Sequence, residues 1–490
     1  MNSIGIDLGT TNSVACTIKD GQFRYLQFRH KDLLPSTLLY KDGKITVGET
    51  AKKKAKIYPD NYIASAKTYM GNDEKKWNIE DRTFTPTDVA AEVLSEIYKA
   101  AKEFFGNDEK IQAVITTPAY FSSKQNGATA EAGKRAGFEV KQIIGEPVAA
   151  ALAYASEGMK KAEKLYVIDL GGGTFDVTML EVLSQNEYRT IMKDGDNHLG
   201  GDDFDQAIEE ILESRIRQDI GVDLSSQEAS GLKPEVYGRA KQKLLQESEK
   251  VKCMLSDAEA EQCSIVNLFP YRDGSYDLDT EITREEFMSE ASKLVRHVKE
   301  IIRRSMEQSG YSVDDIDRVI LVGGSANMPF VRQFVEEYFH KEPYADKDLS
   351  KLVAMGAAIK ADADRGDTII LYDIVAHSLG IEVINDKFSI ILPKGKEYPC
   401  ENTENYTTTC DYQESVTIAV YEGEDTENIH NDEFFDKFLL QDIQKAPAGV
   451  PQIKVTFSFD ESCILHVTAK DTHTGSANAK DIKIDWSKHK

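Results

Sequence analysis

Two short segments of the sequence place an aspartate, glycines and threonines at the end of an apolar strand. The first reads Asp7-Leu8-Gly9-Thr10-Thr11, and the second reads Asp169-Leu170-Gly171-Gly172-Gly173-Thr174. Glycine-rich turns expose backbone N–H groups, which together with threonine hydroxyls can surround phosphate oxygens. An aspartate at a strand end can hold Mg²⁺ through water, because Mg²⁺ gives up its hydration reluctantly. The two segments predict a phosphate clamp with Mg²⁺ near Asp7 and Asp169.

The repetition of this pattern carries more weight than either copy, because most glycine-rich turns are only turns. A third strand is predicted at residues 318–322, and it ends in Gly323-Gly324-Ser325. The two Asp-Leu-Gly units lie a domain's length apart, which indicates a duplicated α/β lobe with a cleft between the copies. Residues 127–135 resemble a Walker A loop, but their glycines are one residue too far apart and Arg135 replaces the required Ser or Thr. That segment is predicted to be an alanine-rich helix.

The hydrophobic period predicts the elements that hold these turns. Strands are predicted at residues 3–7, 14–18, 24–27, 165–169 and 175–183, and helices at residues 86–105, 122–136 and 330–339. From about residue 373 helical spacing stops, and strands are predicted at residues 415–421, 452–459 and 464–470. The sequence therefore predicts a two-lobed α/β domain followed by an all-β module.

The segment joining the two parts is apolar where a plain linker is ordinarily polar. It reads Ile369-Ile370-Leu371-Tyr372-Asp373. Two interpretations are open: the segment docks on another surface of the protein, or it is the first strand of the β-module.

Composition excludes several classes of partner. The chain of 490 residues carries 59 Lys and Arg against 83 Asp and Glu, a formal charge of −24. Such a charge repels nucleic acid and anionic membranes. The apolar runs are shorter than the roughly 18 residues of a membrane span, and the N-terminus lacks the pattern of a leader. The six cysteines form no C-x-x-C pair, so we expect reduced thiols and a cytoplasmic location.

Five motifs together resemble the 70-kDa heat-shock chaperones of the DnaK type, and in detail the HscC-like branch of that family. They are Ile4-Gly5-Ile6-Asp7-Leu8-Gly9-Thr10-Thr11-Asn12-Ser13, Thr117-Pro118-Ala119-Tyr120-Phe121, Glu146-Pro147 with the alanine-rich residues 149–154, residues 169–176, and Leu199-Gly200-Gly201-Asp202-Asp203-Phe204-Asp205. The resemblance implies an actin-like (ribonuclease H-like, duplicated) ATPase domain at residues 1–366. It further implies an interdomain linker at residues 367–373 and a peptide-binding β-sandwich at residues 374–490.

The activity implied by this resemblance is that of an ATP-dependent chaperone of the stress response. ATP binding would capture the linker and loosen bound peptide, and hydrolysis would reverse both, which is allostery in the strict sense. ATP or ADP and Mg²⁺ are the implied cofactors, with K⁺ as an optional further ion. The implied partners are unfolded or extended apolar peptides, a J-domain co-chaperone and a nucleotide-exchange factor, with neither nucleic acid nor membrane.

The resemblance also assigns roles to residues of the ATPase domain. Lys67 would contact the transferred γ-phosphate, Asp7 and Asp169 the waters of Mg²⁺, and Glu146, Thr174 and Asp176 would order the attacking water. Phosphate contacts are implied for Gly9, Thr10, Thr11, Asn12, Gly171, Gly172, Gly173, Thr174, Gly200 and Gly201. The adenosine site is implied at Glu249, Lys252, Ser256, Gly323, Gly324 and Ser325. For Lys252, a solvated helix residue is the alternative.

In the β-module, the resemblance places a peptide cleft that binds an extended apolar segment through backbone hydrogen bonds and a side-chain pocket. The implied cleft residues are Ile381, Val383, Ile384, Tyr406, Thr409, Val416 and Ile418. For each of them, a place in the ordinary sandwich core is the alternative. Longer relatives continue into a helical lid where this sequence stops, so we expect a lidless module that releases peptide quickly.

Several positions depart from the family pattern and support a rival interpretation. Asn327 and Ser350 stand where relatives place an arginine and an aspartate near adenine. Gln142 and Gly145 differ from residues that meet the J-domain partner, and Asn126 and Ala130 replace basic residues of interdomain coupling. One rival is therefore a weakly active, nucleotide-sensing peptide-binding adaptor. The other is a small-molecule kinase of the actin superfamily, against which the apolar linker and the β-module argue.

Overall fold

The computed structural model describes residues 2–106, 110–156, 162–344, 349–362, 368–460, 465–474 and 477–480, with backbone only for Ser350 and residues 477–480. Among these residues, no helix combines the length and the apolar character that crossing a membrane requires. The predicted boundaries at residues 367 and 490 lie outside the described part.

The first lobe is built around a mixed sheet. Its elements are β1 (Asn2–Asp7), β2 (Asn12–Lys19), β3 (Gln22–Tyr25), β4 (Leu33–Pro35), β5 (Leu38–Lys41), β6 (Lys44–Val47), α1 (Glu49–Lys54), β7 (Tyr62–Ile63), β8 (Trp77–Ile79), β9 (Arg82–Phe84), α2 (Pro86–Phe105), β10 (Ile111–Thr117), α3 (Ser123–Ala136) and β11 (Glu139–Gly145). The main sheet has the order β11-β10-β1-β2-β3, with β4 beside β2. Because β1 is a central strand, parallel to β10 and antiparallel to β2, Asp7 at its end lies in the middle of the lobe.

The second lobe repeats this arrangement. Its elements are α4 (Glu146–Ser156), β12 (Glu163–Leu170), β13 (Phe175–Ser184), β14 (Glu187–Asp196), α5 (Gly201–Ile220), α6 (Gln227–Ser230), α7 (Pro234–Met254), β15 (Ala260–Tyr271), β16 (Gly274–Thr283), α8 (Arg284–Glu290), α9 (Ser292–Ser309), β17 (Arg318–Val322), α10 (Pro329–Phe339) and α11 (Leu349–Asp362). β12 is parallel to β17 and antiparallel to β13, as β1 is to β10 and β2. The predicted duplication is confirmed at the level of the two sheets.

Helices α4 and α11 pack on each other where the two lobes meet, and α11 also lies against β1 and β2. Small side chains make this close approach possible: Ala149, Ala150 and Ala151 of α4 are fully buried, as are Ala354 and Ala357 of α11. The helix pair fixes one lobe against the other and leaves the strand ends facing a shared cleft.

The C-terminal part is a sandwich of two four-stranded sheets. The sandwich strands are β19 (Leu379–Val383), β20 (Lys387–Leu392), β22 (Cys400–Tyr406), β23 (Ser415–Glu422), β24 (Glu433–Gln441), β25 (Ile453–Phe459), β26 (Leu465–Asp471) and β27 (Ala477–Lys480). Two further strands, β18 (Ile370–Ile374) and β21 (Glu397–Tyr398), belong to the sheet of the second lobe. The sheets have the orders β20-β19-β23-β24 and β22-β25-β26-β27. Along β25, buried Ile453, Val455, Phe457 and Phe459 alternate with more exposed residues, so one face of the strand fills the core.

The predicted elements agree with the structure within a few residues at each end. The helix predicted at residues 122–136 is α3, which begins with Ser122 accepting from the Gln125 N–H while the Gln125 side chain accepts from the Ser122 N–H. The segment compared with a Walker A loop lies inside this helix, so its prediction as an alanine-rich helix is confirmed.

Candidate functional site

A cavity of about 380 Å³ lies in the cleft between the two lobes. Most of the predicted site residues line it. They are Asp7, Gly9, Thr10, Thr11, Asn12, Lys67, Glu146, Asp169, Gly171, Gly172, Thr174, Glu249, Lys252, Ser256, Gly323, Gly324 and Ser325. The remaining four, Gly173, Asp176, Gly200 and Gly201, lie outside the cavity lining. The structure thus brings residues from six separate parts of the chain around one space.

One end of the cavity concentrates buried carboxylates around a single lysine. The Lys67 Nζ lies 2.5 Å from the Glu146 Oε1, and both side chains are less than a tenth exposed. Burial and the Glu146 carboxylate raise the pKa of Asp7 to about 7 and that of Asp169 well above its usual range. Negative charge is therefore in surplus here, which suits a bound cation.

Asp176 is fixed beside this cluster by the backbone of the first lobe. Its Oδ1 accepts a hydrogen bond from the Tyr120 N–H at 3.0 Å. Its Oδ2 is buried and has no hydrogen-bond partner among the described residues. Burial, followed by the Glu146 carboxylate, raises the pKa of Asp176 to about 8. One oxygen of this carboxylate is thus held by the first lobe, and the other is buried without a hydrogen-bond partner among the described residues.

Glycine is required at two places where the turns approach each other. A Cβ on Gly172 would lie 1.9 Å from the Thr11 Oγ1, and a Cβ on Gly200 would lie 2.5 Å from the Gly173 N. At Gly172 a turn of the second lobe therefore meets the Thr11 side chain of the first lobe, and at Gly200 two turns of the second lobe meet backbone to backbone. The close approach forms a cradle of N–H groups and hydroxyls, which fits phosphate oxygens.

The other end of the cavity is held by ion pairs between helices. Lys252 is 8% exposed, its Nζ lies 2.8 Å from the Asp205 Oδ1, and it donates to the Gly201 carbonyl oxygen at 2.8 Å. The alternative of a solvated helix residue is therefore wrong for Lys252. Glu249 forms an ion pair with Lys52 of α1 at 2.5 Å, which joins the two lobes across the mouth of the cavity.

Sequence reasoning missed Asp205 and Cys253, which also line the cavity. Asp205 belongs to the Gly-Gly-Asp motif that the sequence analysis used, and one turn of α5 separates it from Gly201. That spacing was the available signal for Asp205. Asn327 lines the same end, and its amide donates to the Gly324 carbonyl oxygen at 3.0 Å. The side chain of Ser350 lies outside the described part.

The apolar segment at residues 369–373 docks on another surface of the protein, as the first of its two interpretations predicted. As β18 it pairs in parallel with β14 of the second lobe, Tyr188 facing Leu371, and antiparallel with the short strand β21, Asp373 facing Tyr398. The order of the whole sheet is β17-β12-β13-β14-β18-β21. The segment is thus a strand that docks on the second lobe, and it extends the sheet that carries Asp169 and Asp176.

Asp373, at the end of strand β18, is fixed by a buried ion pair and a hydrogen bond. The Lys193 Nζ of β14 lies 2.7 Å from Asp373 Oδ1, and the Tyr398 hydroxyl donates to Asp373 Oδ2 at 2.8 Å. Burial by itself raises the pKa of Asp373, but the Lys193 ammonium, together with hydrogen bonds from Thr190 and the Ile374 N–H, outweighs burial and holds that pKa below its usual range. Residues of the second lobe, the linker and the sandwich meet in this one group.

The predicted peptide-cleft residues occupy two environments. Ile381 and Ile418 are buried in the sandwich core, at 4% and 2% exposure, as the alternative for those residues predicted. Val383, Tyr406 and Val416 are partly buried against the same core. Ile384 and Thr409 are exposed. The structure therefore gathers five of the seven on one core and leaves two at the surface.

Comparison with known protein families assigns nearly the whole chain to one family. A family model described as Hsp70 protein matches residues 3–489, which confirms the resemblance to the 70-kDa heat-shock proteins. Members of this family are ATPases and ATP-dependent chaperones that bind ATP or ADP with Mg²⁺. They bind unfolded peptides and work with J-domain and exchange co-chaperones. The chain belongs to the Hsp70 family.

Proposed function

We propose that this chain hydrolyses ATP in the cleft between its lobes and uses the nucleotide state to control the binding of extended apolar peptides by its sandwich. The observation that carries the proposal is strand β18. It extends the sheet that holds Asp169 and Asp176 and pairs with the short strand β21, which directly precedes the sandwich strand β22 in the chain. A change at the catalytic end of that sheet can pass along its hydrogen-bonded strands to β21, and from β21 through the chain itself to β22 of the sandwich.

For hydrolysis, we assign positioning and charge neutralisation to this chain's residues, because phosphoryl transfer to water requires little else. Lys67 neutralises charge on the transferred phosphoryl group. Glu146, Thr174 and Asp176 order the attacking water, and the unpartnered Asp176 Oδ2 supports this role. Glu146 in turn holds the Lys67 ammonium in place.

The surplus of buried carboxylates fits Mg²⁺, a cation that prefers oxygen ligands. Asp7 and Asp169 would hold the ion through its waters. When bound, Mg²⁺ neutralises phosphate charge. The raised pKa values of both carboxyls, caused by burial and by the Glu146 carboxylate, show that these groups repel each other's negative charge, which a cation would relieve. K⁺ is a candidate for a second ion in the same cluster.

The nucleotide is held by three groups of residues in this proposal. Phosphates contact the turns at Gly9, Thr10, Thr11, Asn12, Gly171, Gly172, Gly173, Thr174, Gly200 and Gly201. Adenosine lies at the other end, against Glu249, Lys252, Ser256, Gly323, Gly324 and Ser325. The lining of one cavity by most of these residues supports the assignment.

Replacing Gly200 by alanine should lower the affinity for Mg-ATP by about tenfold, because overpacking of this kind typically costs about 1–3 kcal/mol. The added Cβ would lie 2.6 Å from the Gly172 carbonyl carbon and displace the phosphate turn. Isothermal titration measures the affinity. Gly274→Ala is the matched control, because no atom lies within 4 Å of a Cβ built there. Equal affinities for the two variants would contradict the proposed phosphate site.

Peptide binding is assigned to the sandwich at Ile381, Val383, Ile384, Tyr406, Thr409, Val416 and Ile418. Val383, Tyr406 and Val416 lie partly exposed at the edge of the core, where an apolar side chain of a peptide can pack. Because Ile381 and Ile418 are buried, their side chains would form the floor of the proposed cleft. Opening of the cleft then requires movement within the sandwich core.

Docking of the sandwich on the first lobe should weaken as pH rises, because a buried carboxyl lies in the contact. Glu422 of β23 accepts from the Ser123 N–H at the start of α3, at 3.2 Å for its Oε2. Burial, followed by the nearby Glu433 carboxylate, raises the pKa of Glu422 from 4.5 to about 8. Glu422 therefore takes up a proton when the sandwich docks. Its contribution to the free energy of docking is complete below pH 4.5 and is lost progressively as pH rises to about 8.

Energy transfer between dyes on the second lobe and the sandwich measures the docked fraction across this pH range in the presence of Mg-ATP. Wild type should lose docking as pH rises. Glu422→Gln keeps an acceptor for the Ser123 N–H without a charge, so its docked fraction should change much less with pH. Identical pH profiles for the two proteins would refute the role of Glu422.

The proposed partners are a J-domain co-chaperone and a nucleotide-exchange factor, as in the family. Gln142 and Gly145, which depart from the family pattern, lie on and at the end of β11. We also propose a cytoplasmic location and a role in the stress response.

The fate of the γ-phosphate of ATP tests the proposed activity. With full-length protein, Mg-ATP and a panel of sugars and carboxylic acids, we expect all transferred phosphate to appear as inorganic phosphate. A phosphorylated small molecule would identify a kinase instead. Binding of ATP without any release of phosphate would identify a nucleotide-sensing adaptor.

A further inference from the structure

One residue of the first lobe, Tyr120, touches both the catalytic carboxylate and the sandwich. Its N–H donates to Asp176 Oδ1 at 3.0 Å. Its carbonyl oxygen lies 3.1 Å from Nε2 of His377, a residue of the sandwich that follows β18, and also accepts from Asn197 at 3.3 Å. A backbone segment one residue long therefore connects Asp176 with His377.

The sandwich holds Tyr120 by its ring as well as by its backbone. The His377 ring packs edge-on against the Tyr120 ring, with centroids 4.3 Å apart. On the same tyrosine, the Lys394 Nζ lies 5.0 Å from the ring centroid and 3.4 Å from the hydroxyl. Both contacts exist only while the sandwich is docked, so undocking releases Tyr120.

The hydrogen bond to the Tyr120 carbonyl oxygen fixes which ring nitrogen of His377 carries a proton. A carbonyl oxygen can only accept, so His377 Nε2 carries the proton that it donates. Burial is the largest influence on the pKa of His377 and lowers it, whereas the hydrogen bond to the Tyr120 backbone opposes this shift; Lys394 lowers the pKa further, Glu424 raises it, and the net direction is below its usual value. The imidazole is thus neutral at pH 7 and serves as a single, directed donor.

From this geometry we propose that His377 is a positioning residue for ATP hydrolysis: by holding the Tyr120 backbone it lets the docked sandwich set the orientation of Asp176. The proposal rests on the function proposed above, in which Asp176 Oδ2 orders the attacking water. Tyr120 holds one carboxylate oxygen, so a shift of its backbone rotates the other oxygen away from the water. Docking and water positioning are coupled through His377.

The test uses the full chain and three variants. His377→Leu keeps an apolar side chain but removes the donor, whereas His377→Gln keeps an N–H close to the position of Nε2. His430→Leu is the matched control, because His430 lies in the sandwich and its side chain is 69% exposed. Single-turnover hydrolysis is measured with and without a saturating apolar peptide, together with the dissociation constants of Mg-ATP and peptide.

The measured quantity is the ratio of the hydrolysis rates with and without peptide. In His377→Leu the effect of peptide on this ratio should be about fivefold smaller than in wild type, because a factor of that size corresponds to the free energy of one net hydrogen bond. His377→Gln and His430→Leu should keep the wild-type ratio, and all dissociation constants should stay close to those of wild type. A wild-type ratio in His377→Leu would overturn the proposal. Equal loss in the Leu and Gln variants would also overturn it, since packing and not the hydrogen bond would then be responsible.

Amide hydrogen exchange of Tyr120 separates this inference from the proposed function. Its N–H should be protected in wild type and in His377→Gln, and should exchange faster in His377→Leu. If wild type hydrolyses no ATP, the proposed function fails, yet the exchange of Tyr120 still decides whether His377 holds this backbone. Unchanged exchange in His377→Leu would refute the contact in solution.

Discussion

Lys67→Ala is expected to lower the rate of ATP hydrolysis by at least about 100-fold, the cost of removing one preorganised group from a developing negative charge. Lys67 is buried and its Nζ lies 2.5 Å from Glu146. The side chain contributes a cation at the end of the cavity where Asp7 and Asp169 also lie. Single-turnover release of phosphate from preformed protein–nucleotide complex measures the chemical step without the effect of binding.

A matched control distinguishes this result from a general loss of stability. Lys241 also pairs with glutamates, with its Nζ 2.9 Å from the Glu209 Oε1, but it does not line the cavity. Lys241→Ala should hydrolyse ATP at the wild-type rate. If Lys67→Ala remained as active as Lys241→Ala, the catalytic role assigned to the buried lysine would be wrong.

Asp373→Asn is expected to release strand β18 from the second lobe. The substitution leaves the buried Lys193 ammonium without its anion, and breaking one partner of a buried pair costs about 3–5 kcal/mol. That cost corresponds to exchange of the backbone amides of residues 368–374 that is faster by about 100-fold or more. Hydrogen exchange with Mg-ATP present measures this directly, with the wild-type segment protected by its pairing with β14 and β21.

An exposed ion pair at the same junction provides the control for Asp373→Asn. The Arg189 Nε of β14 lies 3.1 Å from the Glu397 Oε1 of β21, and both side chains are about half exposed. Exposed pairs contribute about 0–1 kcal/mol, so Glu397→Gln should leave the exchange of the linker nearly unchanged. Equal effects of the two substitutions would show that the buried pair does not hold the strand.

Local sequence patterns were enough to predict the turns that build the site. Asp7 and Asp169 each stand at or near the end of an apolar strand, and strand, turn and residue type are all local properties. The duplicated pattern then implied a cleft, and the structure places both turns on it. Three of the sandwich strands, β23, β25 and β26, were predicted in the same way, because their alternation is also local.

Contacts between distant residues could not be read in this way. Lys193 and Asp373 are 180 positions apart, and nothing near either residue indicates that their strands become neighbours. The same holds for Ser123 and Glu422, which are separated by 299 positions. The alternatives for Ile381 likewise stayed open, because core and cleft positions on a strand share the same alternation.

The central claim is that the nucleotide in the cleft controls peptide in the sandwich, and the dissociation rate of a fluorescent apolar peptide tests it most directly. The rate is measured from the full chain with and without Mg-ATP. We predict an acceleration by Mg-ATP of about tenfold, within the usual 5- to 150-fold range of such coupling. An unchanged dissociation rate at saturating Mg-ATP would contradict the account and would leave an uncoupled, nucleotide-sensing adaptor.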